Sequence, residues 1–145
     1  LSNLRGVKRS PAPHFDLEAE AKLQEAVRAV IEAETVRAVH DLADGGLFVT
    51  LLEMGMPRGL GFDIVTDSDI RLDAFLFGEG QGRVAVSCTE DQQDAFLDLV
   101  EAHGVPVVLL GHVTKGKMQV DGHVFGYVEE FRNTFDNVLA EEMEA

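Results

Sequence analysis

The sequence predicts an α+β fold, a layered α/β sandwich of about four helices on a mixed sheet. Three observations carry that expectation. Apolar residues recur at helical spacing in several segments, short apolar or alternating runs lie between them, and glycines sit at the junctions. At 145 residues the chain has room for one domain with an appended arm.

Residues 1–15 read as a linker or arm from a preceding domain. Arg5, Lys8 and Arg9 precede Pro11 and Pro13, and each proline disfavours helix in itself and in the residue before it. The domain proper is expected over 16–145. Asp16 is the N-cap of a first helix whose early Glu18 and Glu20 suit the positive end of its dipole. Leu23, Val27, Val30 and Ile31 form its apolar stripe. A short strand over 36–39 ends at His40-Asp41, and a glycine turn leads into LFVTLLEMGM, apolar on nearly all sides and so a buried helix, stopped by Pro57 and Gly59. A strand is expected at 62–65, followed by the polar turn TDSD. RLDAFLF fits either a short helix or a strand.

Val84, Val86 and Cys88 alternate with Arg83, Ala85 and Ser87, the strand period. Thr89 with Gln92 matches a capping box for a helix carrying Phe96, Leu97 and Val100, with Gly104 at its C′ position. The run 105–110, bounded by Gly104 and Gly111, reads as a strand buried on both faces. Gly116 marks a hairpin between the residues around Val113 and a strand over 118–120. A last helix, roughly 128–143, carries Val128, Phe131, Phe135, Val138 and Leu139 on one face, and Glu141, Glu142 and Glu144 form a solvated acidic tail.

Composition excludes several classes of function. The formal net charge is −14, which repels nucleic-acid phosphates and anionic membranes alike. One cysteine, Cys88, cannot close an internal disulfide or build a multi-thiolate zinc site, which points to a reducing compartment. No apolar run reaches the roughly 18 residues of a spanning helix. His14, His103, His112 and His123 lack metal-ligand spacing, and Ser10, Ser68 and Ser87 lack a nucleophile-elbow context. Cys88 has no cationic neighbours in sequence and reads as a small core residue.

Two loops remain. In the first, His40, Asp41, Asp44, Gly45 and Gly46 lie at a strand-to-helix junction. The unpaired N–H groups of a helix start favour anions, while the two aspartates repel a phosphate unless Mg²⁺ bridges them. The residues alone fit either ligand contact or a plain junction in which Asp44 caps the helix. In the second, Glu79, Gly80, Gln81 and Arg83 offer a carboxylate, an open backbone, an amide and a guanidinium, a set suited to a ribose, an amide or a phosphate. They fit equally a bulged loop closed by a Glu79–Arg83 pair. Neither loop matches the P-loop or the dinucleotide fingerprint.

HDLADGGL, followed about thirty residues later by LFGEGQGRVAV and then by LLGHVT, resembles the AIR-synthase-related C-terminal domain family. The nearest likeness is to the last such domain of the phosphoribosylformylglycinamidine synthases, over about residues 10 to 115. The resemblance implies the C-terminal quarter of a purine-biosynthesis ligase that converts formylglycinamide ribonucleotide, ATP and glutamine-derived ammonia to formylglycinamidine ribonucleotide. It implies ATP and Mg²⁺ in the whole enzyme and none in the isolated domain. The implied partners are the remaining domains of the same polypeptide and a glutaminase domain or subunit, in the cytoplasm.

His40, Asp41, Asp44, Gly45, Gly46, Glu79, Gly80, Gln81 and Arg83 are the implied substrate- or nucleotide-contacting residues; no catalytic residue is implied. Ala43 and Gly80 stand where the family commonly has serine, each removing a hydroxyl. Alternatives are another ATP-using member of the superfamily (AIR synthetase, selenophosphate synthetase, thiamine-phosphate kinase or the hydrogenase maturation dehydratase) and a non-catalytic acidic binding module.

Overall fold

Asp16 starts the first helix as its sequence context requires. Its carboxylate accepts from the N–H groups of Glu18 and Ala19 at 3.0 and 3.1 Å, filling two donors that a helix start leaves unpaired. The computed structural model describes residues 15–67 and 69–144. The expected arm over 1–15 therefore lies outside the described residues except for Phe15, as do His14, Ser10 and Ser68.

The elements in order are α1 (Leu17–Glu32), β1 (Ala38–Asp41), α2 (Gly46–Gly55), a 3₁₀ turn (Met56–Arg58), β2 (Gly61–Ile64), α3 (Leu72–Phe77), β3 (Val84–Ser87), α4 (Glu90–Ala102), β4 (Gly111–Thr114), β5 (Lys117–Val120), β6 (His123–Tyr127) and α5 (Val128–Glu144). The ambiguous RLDAFLF segment is helical over Leu72–Phe77, which brings the helices to five rather than four. β6 is a further strand, between Gly122 and the last helix, that the sequence reading did not separate.

The strands form two sheets, an antiparallel ribbon β1–β3 and a mixed sheet in the order β4-β2-β5-β6. Two hydrophobic clusters follow that division. Leu47, Phe48 and Leu52 of α2 pack with Phe62 and Ile64 of β2, Leu76 of α3, Met118 and Val120 of β5, and Val128. Val30 of α1 packs with Phe96 and Val100 of α4, against Val36 and Val86. The aromatic centre is Phe48, whose ring meets Phe62 edge-on at 5.6 Å. The capping box at Thr89 is present: Gln92 Oε1 accepts from the Thr89 amide and hydroxyl at 3.2 and 2.8 Å. Its amide donates to the Glu34 carbonyl at 2.7 Å, tying α4 to the end of α1.

Four expectations are corrected. The run 105–110 is not a buried strand. Val108 and Leu109 are 75% and 78% exposed, Pro106 removes a ladder donor, and Leu110 is held at the sheet edge by the Val65 N–H at 2.9 Å. The hairpin between β4 and β5 is not formed, because β2 inserts between them, antiparallel to β4 and parallel to β5. On α1 the buried stripe is Ala26 and Val30, with Ile31 exposed. On α5, among the described side chains, Val128 is in the core, Phe131 packs against it, and Phe135 and Val138 are exposed. Two strands shift by a residue or two, since β1 begins at Ala38 and β2 ends at Ile64, leaving Val65 exposed.

Candidate functional site

The two glycine loops lie at the same end of the β1–β3 ribbon. Because the strands are antiparallel, the residue that leaves β1 is next to the residue that enters β3. His40 pairs with Ala85 and Asp41 with Val84, and the Leu42 N–H extends the ladder to the Arg83 carbonyl at 3.0 Å. The loops then touch directly: the Gly45 N–H donates to Glu79 Oε1 at 3.1 Å. A carboxylate thus sits at the positive end of α2.

Gly45 and Gly46 have φ of +86° and +66°, the left-handed region that glycine occupies without strain. Gly46 is also a close approach. A Cβ there would lie 2.8 Å from the Phe77 carbonyl carbon and 2.9 Å from the Leu76 oxygen. This contact presses the C-terminal end of α3 against the start of α2 and so delivers Glu79 to Gly45. The N-cap of α2 is Gly45 and makes no side-chain cap bond, so Asp44 does not take the capping role open to it in the sequence.

His40 is anchored to both sides. Its Nδ1 lies 2.7 Å from the Asp41 carbonyl and 3.5 Å from Asp41 Oδ1, and its Nε2 lies 3.4 Å from Glu53 Oε2 on α2. Thr50, buried inside α2, donates to the Asp41 carbonyl at 3.3 Å. Glu53 and Thr50 were not singled out from the sequence. A hydroxyl within the apolar run LFVTLLEMGM was the available signal, since a buried polar group must find a partner.

Arg83 does not close the loop through Glu79. Its Nε reaches the Gly80 carbonyl at 3.4 Å and its Nη2 donates to the Gly78 carbonyl. Arg83 and Gln81 instead line a cleft of about 790 Å³ between α1, α3 and the segment 104–110, whereas His40, Asp41, Asp44 and Glu79 do not. The structure therefore brings the two loops together, and of the first loop only the flanking Leu42 and Leu47 join Gln81 and Arg83 in lining the cleft.

Among the described residues no group of three or more His, Cys, Asp or Glu is arranged to hold a metal ion. Asp41 and Asp44 alone fit only the minor part of a Mg²⁺ shell whose other ligands are phosphate or water oxygens. Partial burial pushes the Cys88 thiol above its ordinary value, the opposite of an activated nucleophile. No described helix is long and apolar enough to cross a membrane.

The fold and the paired loops define a class: a mixed α+β domain that presents two glycine-cornered strand ends on one wall. The chain belongs to the family described as AIR synthase related protein, C-terminal domain, whose model matches residues 3–123. It is similar to phosphoribosylformylglycinamidine synthase subunit PurL of Parvibaculum lavamentivorans, with 37% identity over 80% of this chain and 16% of that protein. The same subunit of Thermomicrobium roseum is 41% identical over 77% of this chain and 16% of the relative.

Two Thermotoga maritima structures share the fold. PurL complexed with FGAR has a TM-score of 0.73 at 20% identity, over 88% of this chain and 23% of that one; PurLQS has a TM-score of 0.74 at 22% identity, over 88% and 24%. A HypE–HypF complex is also similar in fold, with a TM-score of 0.59 at 16% identity. The chain spans about a sixth of the length of the PurL relatives named here.

Proposed function

We propose that this chain acts as the C-terminal AIR-synthase-related domain of an ATP-dependent C–N ligase. That ligase makes formylglycinamidine ribonucleotide from formylglycinamide ribonucleotide and glutamine-derived ammonia. One observation carries the proposal: the two family motifs, 34 residues apart, are joined by the Gly45–Glu79 hydrogen bond into one wall, in a chain that matches only a small part of its PurL relatives. His40, Asp41, Asp44, Gly45, Gly46, Glu79 and Gly80 form that wall. A facing wall on other domains of the same polypeptide completes the nucleotide cleft. ATP supplies a phosphoryl group that turns the amide oxygen into a leaving group, and Mg²⁺ arrives with the nucleotide. The glutaminase partner delivers ammonia, and the whole assembly works in the cytoplasm.

Gly46 seats the start of α2 against the Phe77 backbone and so sets the wall's geometry, and His40, clamped between Asp41 and Glu53, holds the loop against α2. The isolated chain is inactive on this reading, because half of the cleft is elsewhere. The test is the product of the reading frame that encodes these residues. Expected are several hundred codons of ATP-binding domain upstream, ATP- and ammonia-dependent turnover by the whole product, and no heat on titrating ADP and Mg²⁺ into the 145-residue chain. A start codon just before Leu1, or turnover by the isolated chain, overturns it.

A further inference from the structure

His40 and Asp41 are adjacent in the sequence and opposite in their availability. The Asp41 side chain is 79% exposed, whereas that of His40 is 33% exposed and already committed. A carbonyl oxygen only accepts, so His40 donates from Nδ1 to the Asp41 carbonyl at 2.7 Å, and the same nitrogen lies 3.5 Å from Asp41 Oδ1. Its Nε2 lies 3.4 Å from Glu53 Oε2. Both ring nitrogens thus face protein oxygens, which suits a group that holds the backbone better than one that takes a ligand.

The support comes from one helix. Thr50 and Glu53 are three residues apart on α2 and so share a side of it. Thr50, 2% exposed, donates to the Asp41 carbonyl at 3.3 Å, and Glu53 reaches the His40 ring. The same loop is fastened at its far end, where the Gly45 N–H meets Glu79. The Asp41 carboxylate is therefore exposed on a backbone that is fixed from behind. A contact held in place before the ligand arrives costs less to order on binding.

We infer that His40 and Glu53 are positioning residues that act through Asp41. The inference rests on the ligase reading and narrows it to one carboxylate and its supports. The test uses the whole product of the reading frame, with KM measured separately for ATP, formylglycinamide ribonucleotide and ammonia. Asp41→Asn is expected to raise the KM of one of the two nucleotides about tenfold, the loss of one charge-assisted contact, and to leave that of ammonia unchanged. Glu53→Ala and His40→Ala should each raise the same KM by about three- to tenfold with kcat within twofold, the mark of lost uniform binding. Adding Glu53→Ala to Asp41→Asn should cost nothing further, since the two act on one contact. Glu53→Gln should recover most of the loss, because an amide both donates and accepts and so pairs with the ring.

Absence of turnover by the wild-type product overturns the ligase reading and this inference with it. Turnover with the nucleotide KM values unmoved by Asp41→Asn or by Glu53→Ala overturns the inference alone, even where Glu53→Ala lowers Tm. So does a Glu53→Ala loss that adds to that of Asp41→Asn, which gives Glu53 a contact of its own. A His40→Ala product that loses kcat instead makes His40 a participant in the reaction, and failure of Glu53→Gln to recover the KM means that the ring is not what Glu53 holds; either result also overturns it.

Discussion

Gly46 shows how one residue can serve both the packing and the site. Its φ of +66° makes a side chain costly, and its place against the Phe77 backbone makes one impossible without movement. Gly59 has nearly the same φ, +64°, but no heavy atom within 4 Å of where a Cβ would stand. The pair separates the two costs. Gly59→Ala should lose about 1 kcal/mol from the left-handed conformation alone, and Gly46→Ala about 2 to 4 kcal/mol once overpacking is added, as read by urea denaturation. Equal losses would show that the α2–α3 approach relaxes freely.

Asp121 offers a pH test at the same scale. The Thr66 hydroxyl and amide donate to its carboxylate at 2.6 and 2.8 Å and hold its carboxyl below the usual range. A lowered value in the fold means the link is fully present above the unfolded value, about 3.9, and is lost as pH falls through the lower folded one. The Thr66 amide resonance should therefore move below pH 4 and stay still between pH 5 and 8. Movement centred in the neutral range would refute the link.

Among the elements, the ribbon β1–β3 matters most for the candidate site, because its antiparallel pairing alone puts the two loops side by side. A two-stranded ribbon is marginal unless something packs on it. Here α2 touches both strands on one side, and Val86 joins the α1–α4 cluster on the other. Gln92 is the polar rivet of that second layer, serving the capping box and the Glu34 carbonyl together. Gln92→Ala should cost about 1 kcal/mol, with the loss appearing in amides of the first turn of α4 and the end of α1. Loss of protection in β2 instead would mean that the rivet serves the whole fold.

For the whole molecule, the division into two hydrophobic clusters sets the order of opening. The larger cluster joins α2, α3, β2, β5 and the start of α5, and the smaller holds α1 to α4 through Val30, Phe96 and Val100. Fewer buried apolar contacts mean a lower local opening free energy. Hydrogen exchange should therefore release α1 and α4 before β2 and β5, and simultaneous exchange of all four would contradict two separable layers. The solvent-facing apolar residues, Val107–Leu109 beside the cleft and Phe135 and Val138 on α5, are left uncovered by the described residues. They fit a chain whose relatives continue well beyond it.

Alternation, caps and helical stripes were legible because they are local. Asp16, the Thr89–Gln92 box and the buried α2 could be read from a few neighbouring residues, and both glycine loops were visible in the same way. The failures concern long-range pairing or exposure. The run 105–110 has a buried strand's composition but meets no sheet, and β4 and β5 are parted by a strand that precedes them by some fifty residues. The sequence by itself determined four of the five helices, the helix starts at Asp16 and Thr89, and which two glycine loops stand out as candidates; it left RLDAFLF open and missed β6. Only the tertiary structure decided that those loops meet through Gly45 and Glu79, while Arg83 reaches back to the Gly78 and Gly80 carbonyls rather than to Glu79. Such contacts depend on strand order and on which face each element buries, and no window of neighbouring residues encodes either.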